Sequence, residues 1–295
     1  MDYKALLKKS FDLTIKNKFL WIFGLFAGAG MTFSGMNMSD FTKKGPGMDP
    51  LFTKEQISAF LYSHWTLVLW IALGLLVLCI ICFIISLFAE ASLITGAAAL
   101  SKGEKTDFSL ALKKGSQYFW KLWGLGIMYF LIILVGLAIS AIPTGLLVLS
   151  NQMFIAAFYG VLTVLAFIAL AVIVGFSAPY AERILVLENK GITESIKTAL
   201  ILVRKKILEV FIVNLILIAF STVLAFALAI ALVIILIMLG LLGFGLWSLS
   251  NGLGIIYAFV LGSALFVAIM IFKSAFSTFK SVVITEAYEK FKSKP

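Results

Sequence analysis

Between Lys121 and Glu182 the chain carries no Asp, Glu, Lys or Arg, and the same holds between Glu209 and Lys273. These uncharged stretches, 60 and 63 residues long, have room for two helices of the ~20–25 residues needed to cross a bilayer plus a turn, so each reads as a hairpin of two spans. A soluble chain of 295 residues could not hide a composition that is 62% hydrophobic and only 13% charged. The runs LIILVGLAI and AIALVIILIML do not alternate in polarity, which argues against a transmembrane β-barrel. The fold class expected is all-α, integral to a membrane.

The net charge of +10 would suggest nucleic acid in a soluble protein. Here the distribution of charge explains it. Segments 1–18, 90–121, 182–209 and 273–295 hold 21 of the 24 Lys and Arg residues. The turns around 150–152 and 249–254 carry none. Basic connections stay on the cytoplasmic side, so an even number of spans with both termini cytoplasmic is expected, in the cell membrane. Six spans are expected, at roughly 19–38, 65–89, 122–142, 153–178, 210–239 and 254–279.

Two segments qualify this layout. Ala27-Gly28-Ala29 follows a lysine-bearing start and an apolar run, as at a signal-peptide cleavage site. The long leading region with Asp2 and Asp12 favours retention as a first span instead. The stretch from Ser34 to Ser63 is the sizeable outer loop, broken by Gly45, Pro46, Gly47 and Pro50. Its end, LFTKEQISAFLYSHW, suggests a short interfacial helix anchored by Tyr62 and Trp65.

An internal repeat organises the rest. DYKALLKKSFDLTIKNK from Asp2 aligns without gaps on DFSLALKKGSQYFWKLW from Asp107 and on GITESIKTALILVRKKI from Gly191. Lys8, Lys113 and Lys197 coincide, as do Lys16, Lys121 and Lys205, and Ser10, Gly115 and Ala199 form a shared small position. At 3.6 residues per turn, the middle copy puts Phe108, Ala111, Leu112, Gly115, Tyr118, Phe119, Leu122 and Trp123 on one face. Its lysines fall on the other. Asp2 and Asp107 suit N-cap positions, and Gly191 is permissible there. Such a helix is expected to lie in the cytoplasmic leaflet, aromatic face down, with Lys8, Lys16, Lys113, Lys121, Lys197 and Lys205 at lipid headgroups.

The far ends of the hairpins also correspond: FAEASLIT from Phe88, YAERILVL from Tyr180 and FKSVVITE from Phe279. The expected architecture is one membrane domain of three parallel units, about 1–103, 104–190 and 191–295. Each unit is an interfacial helix followed by a two-span hairpin, and the three form a pseudo-threefold bundle. Inverted repeats, common in secondary transporters, would need an odd number of spans per unit.

The Lys-Lys amphipathic helix before a span, together with AERILVLENKGITESIKTALILVRKK at 181–206, resembles the membrane domain associated with some glycerophosphodiester phosphodiesterases. Related stand-alone multi-span proteins share the look. The resemblance covers most of the chain through diffuse patterning. It implies no catalysis here, because the soluble barrel that carries that chemistry has no counterpart and the one histidine is His64.

Convergent ionisable groups would mark a catalytic or transport site. Glu90 and Glu182 occupy equivalent positions, with Ser281 in the third copy, and Glu209 and Asn214 lie near the start of the fifth span. Membrane-embedded carboxylates are candidates for proton coupling. The alternative is structural: they pair with Lys113, Lys121, Arg183 or Lys205 and close the units together. His64 sits among interface aromatics. Cys79 and Cys82, spaced CIIC within one apolar run, read as packing or lipid-facing residues, and no metal or cofactor is expected. Asn214, Ser221, Thr222, Ser140 and Thr144 read as helix-to-helix hydrogen bonders. Gly24-xxx-Gly28 and Gly136-xxx-Ser140 read as close-packing positions.

The functional expectation is a non-enzymatic membrane module that engages anionic lipid, or a protein partner, through its basic interfacial helices. The alternative is a transporter or flippase-like permease for a lipidic or apolar molecule, using a crevice between units.

Overall fold

The computed structural model describes residues 2–27, 62–249 and 251–293. The described residues are helical, without strands. In chain order they form α1 (Tyr3–Lys16), α2 (Phe19–Ala27), α3 (Trp65–Ser101), α4 (Phe108–Ser116), α5 (Phe119–Leu149), α6 (Met153–Leu187), α7 (Ile192–Lys205), α8 (Ile207–Leu249) and α9 (Asn251–Ser293).

Among the described residues five helices, α3, α5, α6, α8 and α9, are long and apolar enough to cross a membrane. The expected first span is represented by α2 alone, and its part beyond Ala27 lies outside the described residues, as do Gly28, Ser34, the proline-bearing outer loop and most of the segment before Trp65. α3 has 37 residues. At 1.5 Å per residue that is about 55 Å, well beyond the ~30 Å hydrocarbon thickness of a bilayer. The helices therefore run on past the expected spans at 65–89 and 153–178. Helix continues through FAEASLIT to Ser101 and through YAERILVL to Leu187, because nothing in either stretch breaks it.

The overrunning ends contain the core. Almost nothing in the apolar windows of the five long helices is buried within the chain. By contrast Ala91–Ile94, Arg183–Val186 and Ser281–Tyr288 are continuously buried. A helix buried all round needs neighbours all round, and short helices supply them. α4 packs on the end of α3, α7 on the end of α6 and α1 on the end of α9, while α2 wedges between α3 and α9. The first and last helices of the chain thus meet. Phe11 approaches Phe279 edge-on with ring centroids 6.4 Å apart, and the Lys9 ammonium pairs with the buried Glu286 carboxylate at 2.8 Å.

Two of the short helices, α1 and α4, are capped as their sequences require. The Asp2 carboxylate accepts from the Ala5 N–H at 3.0 Å, and that of Asp107 accepts from the Leu110 N–H at 2.8 Å. Gly191 has no side chain to cap with, and α7 starts without a side-chain cap; Ser195 Oγ donates back to the Gly191 carbonyl. The helix expected through Trp123 is broken: α4 ends at Ser116 and α5 begins at Phe119. Phe119, Leu122 and Trp123 therefore belong to the following long helix.

The apolar faces of the short helices do not simply face lipid. Leu6, Ser10 and Thr14 of α1, Ala111 and Gly115 of α4, and Ser195, Ala199 and Val203 of α7 are buried against the chain itself. Phe108 stacks on Phe23 at 4.7 Å and Phe119 on Phe88 at 4.5 Å, so two of the expected leaflet anchors bind neighbouring helices. Asn151 closes the α5–α6 turn with φ of 57°, a left-handed backbone that asparagine tolerates better than most residues.

Candidate functional site: a charged hub where three helix ends meet

α3, α6 and α9 bring Glu90, Glu182 and Ser281 to one place, around the side chain of Arg183. The guanidinium donates to Glu182 Oε2 at 2.7 Å, to Ser281 Oγ at 2.9 Å and to the Pro179 carbonyl at 2.9 Å. It also lies 3.7 Å from Glu90 Oε1. Arg183 is 2% exposed. A planar fork of five donors is the side chain best able to serve acceptors on three helices at once. Lys280, one residue before Ser281, lies close enough for its charge to act on both carboxylates. Of the four partners expected for the carboxylates, Arg183 is the one that binds them.

The other expected residues lie elsewhere. Lys8, Lys16, Lys113, Lys197 and Lys205 are exposed on the short helices. Lys121 is half-buried, donates to Asn189 Oδ1 at 2.7 Å and lies over the Tyr118 ring, so the chain already engages this ammonium. Glu209 is half-buried at the start of α8. Asn214 donates to the Val210 carbonyl one turn back. Ser221 and Thr222 both donate to the Ile218 carbonyl, Ser140 to Gly136 and Leu137, and Thr144 to Ser140. These groups were expected to bond between helices, but each satisfies itself on its own helix, where a carbonyl three or four residues back is always within reach. A polar contact between α5 and α6 comes instead from Tyr129 and Ser177, 3.3 Å apart. Ser63 Oγ lies 2.7 Å from His64 Nδ1, and Cys79 and Cys82 are free and exposed. Among the described residues no three His, Cys, Asp or Glu side chains gather as metal ligands would.

A second ionic cluster escaped the sequence reading. Glu188, just past α6, accepts from the Tyr288 hydroxyl at 2.6 Å and pairs with Lys292 at 2.9 Å and Lys190 at 3.0 Å. Its sequence signal was slight: an acid and a base flanking Asn189. Burial alone would raise the Glu188 carboxyl, but the hydrogen bonds from Tyr288, Lys292 and Lys190 outweigh it and hold the group down at about 2. Because the folded value lies below the unfolded one, this stabilisation is complete above the ordinary carboxyl range and is lost as pH falls toward 2. Glu188→Gln is expected to flatten the pH dependence of unfolding between about pH 4.5 and 2, while leaving its shape near neutrality unchanged. A thermal-unfolding series in detergent across that range checks this; equal slopes in both proteins would remove Glu188 from the acid response.

No family model, curated protein or solved structure matches this chain. What the fold defines is an all-helical chain with five described helices that could span a membrane.

Proposed function

We propose that the protein is a non-catalytic membrane module of three parallel units, with its basic end at the cytoplasmic face of the cell membrane, where it engages anionic lipid. The observation that carries this reading is the ring of short helices seated on the packed ends of the long ones, with their lysines outward. Lys8, Lys113 and Lys197 are exposed while the aligned positions Leu6, Ala111 and Ser195 are buried. Seating α1 on α9 as α4 sits on α3 supports a closed, pseudo-threefold arrangement. The resemblance to a phosphodiesterase-associated membrane domain fits the same non-catalytic role.

A phosphate-level lysine contributes about 1 kcal/mol against an anionic leaflet. The triple variant Lys8→Gln, Lys113→Gln, Lys197→Gln is therefore expected to carry markedly less phosphatidylglycerol through purification from mixed vesicles, while its phosphatidylcholine content stays the same. Lipid quantification on the purified proteins reads this directly. Identical anionic lipid in both would remove the basis for the proposal.

The permease reading is favoured by one feature, a crevice of ≈ 300 Å³ between α6, α8 and α9. Its walls do not include Glu90 or Glu182, the groups that would couple transport to protons.

A further inference from the structure

The crevice between α6, α8 and α9 has a direction. On α6, Phe176 lies nearer the basic end than Val172; on α8, Asn214 nearer than Ser221; on α9, Lys280 nearer than Phe276. Its one charge, Lys280, therefore stands at the mouth facing the basic end, Asn214 sits beside that mouth, and the deeper part is mostly apolar. Lys280 is exposed and makes no hydrogen bond or ion pair with the described residues. The two carboxylates whose charge reaches it, Glu90 and Glu182, have Arg183 as their partner. At the aligned positions stand Ala89 and Ala181, both buried, so this cationic mouth belongs to the third unit alone.

We propose that this crevice binds one anionic glycerophospholipid, with its phosphate at Lys280 and an acyl chain running past Asn214 toward Ser221. The polarity gradient is that of a lipid standing in the leaflet, with its headgroup at the basic end and its chain toward the midplane. A larger gap of ≈ 670 Å³ between α5 and α6 makes the contrast. It is lined by residues such as Leu137, Val148 and Phe167, and by the hydroxyls of Ser140, Thr144 and Thr163, each of which donates to its own helix. It has no charge with which to select a headgroup. The site at Lys280 rests on the proposed orientation of the basic end, but it is distinct from the lysines of the short helices.

The test uses the full chain in mild detergent, delipidated and titrated with dioleoyl phosphatidylglycerol or dioleoyl phosphatidylcholine, with bound lipid counted by native mass spectrometry. The first phosphatidylglycerol is expected to bind more tightly than phosphatidylcholine, and Lys280→Gln to weaken it by about fivefold or more. Gly175→Leu keeps the lysine but builds a side chain where a Cβ meets nothing within 4 Å, and it is expected to weaken both lipids. Co-elution of each variant with the wild type establishes the fold. If Lys280→Gln binds phosphatidylglycerol as the wild type does, or phosphatidylcholine binds equally well, the site is overturned. The Lys8, Lys113 and Lys197 triple variant separates the two proposals. Its first lipid is expected to stay tight, so loss in that variant with retention in Lys280→Gln overturns the crevice and leaves the basic surface standing. The reverse result supports the crevice.

Discussion

Arg183→Leu is expected to be the most damaging single substitution in the described chain. The guanidinium holds Glu182 at 2.7 Å and Ser281 at 2.9 Å and faces Glu90, so its loss leaves two carboxylates facing each other among three helix ends. Removing one partner of a buried ion pair costs about 3–5 kcal/mol. The lower end applies here, because the Glu90 and Glu182 side chains keep 26% and 30% exposure and water can reach part of the freed charge. Leucine roughly preserves the apolar stem, which assigns the loss to charge and hydrogen bonding. Arg183→Lys is expected to recover part of the stability, since a point charge cannot serve acceptors on three helices. The triple replacement Arg183→Met, Glu90→Gln, Glu182→Gln is expected to recover more, because it removes the unpaired charges along with their partner. Unfolding in mixed detergent micelles checks the series. A loss below about 1 kcal/mol for Arg183→Leu would mean that the hub does not hold the three ends together.

The second large effect is expected at Gly115. A Cβ there would lie 2.5 Å from the Ser92 N and Oγ and 2.6 Å from its Cα. Two of these atoms are backbone and cannot rotate away, so even Gly115→Ala must push α4 off α3. Overpacking of this kind costs about 1–3 kcal/mol, and Gly115→Leu is expected to cost more and to expose the buried Ala111. Gly126→Ala is the control. Its Cβ meets nothing within 4 Å, and alanine stabilises a helix interior by up to about 1 kcal/mol over glycine. If both alanine variants behave alike in the same unfolding assay, the close approach at Ser92 is not a packing constraint.

Gly115 also shows how far the aligned segments could be read. The shared small position it forms with Ser10 and Ala199 was visible from the register, and all three are buried. What they are buried against was not. The reading placed that face in lipid, because an amphipathic basic helix beside a span has the composition of an interfacial helix whether its apolar side meets acyl chains or the end of another helix. Burial against protein appears only once α3, α6 and α9 overrun the bilayer thickness and their ends need covering.

The charged hub was legible to the same depth. Equivalent positions for Glu90, Glu182 and Ser281, and Arg183 as a partner, followed from the sequence. That one arginine serves all three did not, since Lys113, Lys121 and Lys205 were also candidate partners. Glu188 and Glu286 were missed because Tyr288 lies 100 residues from Glu188 and Lys9 lies 277 residues from Glu286 along the chain.

The uncharged windows, the side-by-side placement of basic segments and the caps at Asp2 and Asp107 were determined by the sequence alone. Each depends on residues that are neighbours along the chain: hydrocarbon length, turn charge and a carboxylate three residues before an open N–H. Which apolar faces meet, which cation Glu90 and Glu182 share, and where a crevice opens beside Lys280 were decided by the tertiary structure. Those features depend on distances between helices, and a hydropathy pattern, being the same for a helix that faces lipid and one that faces protein, does not encode them.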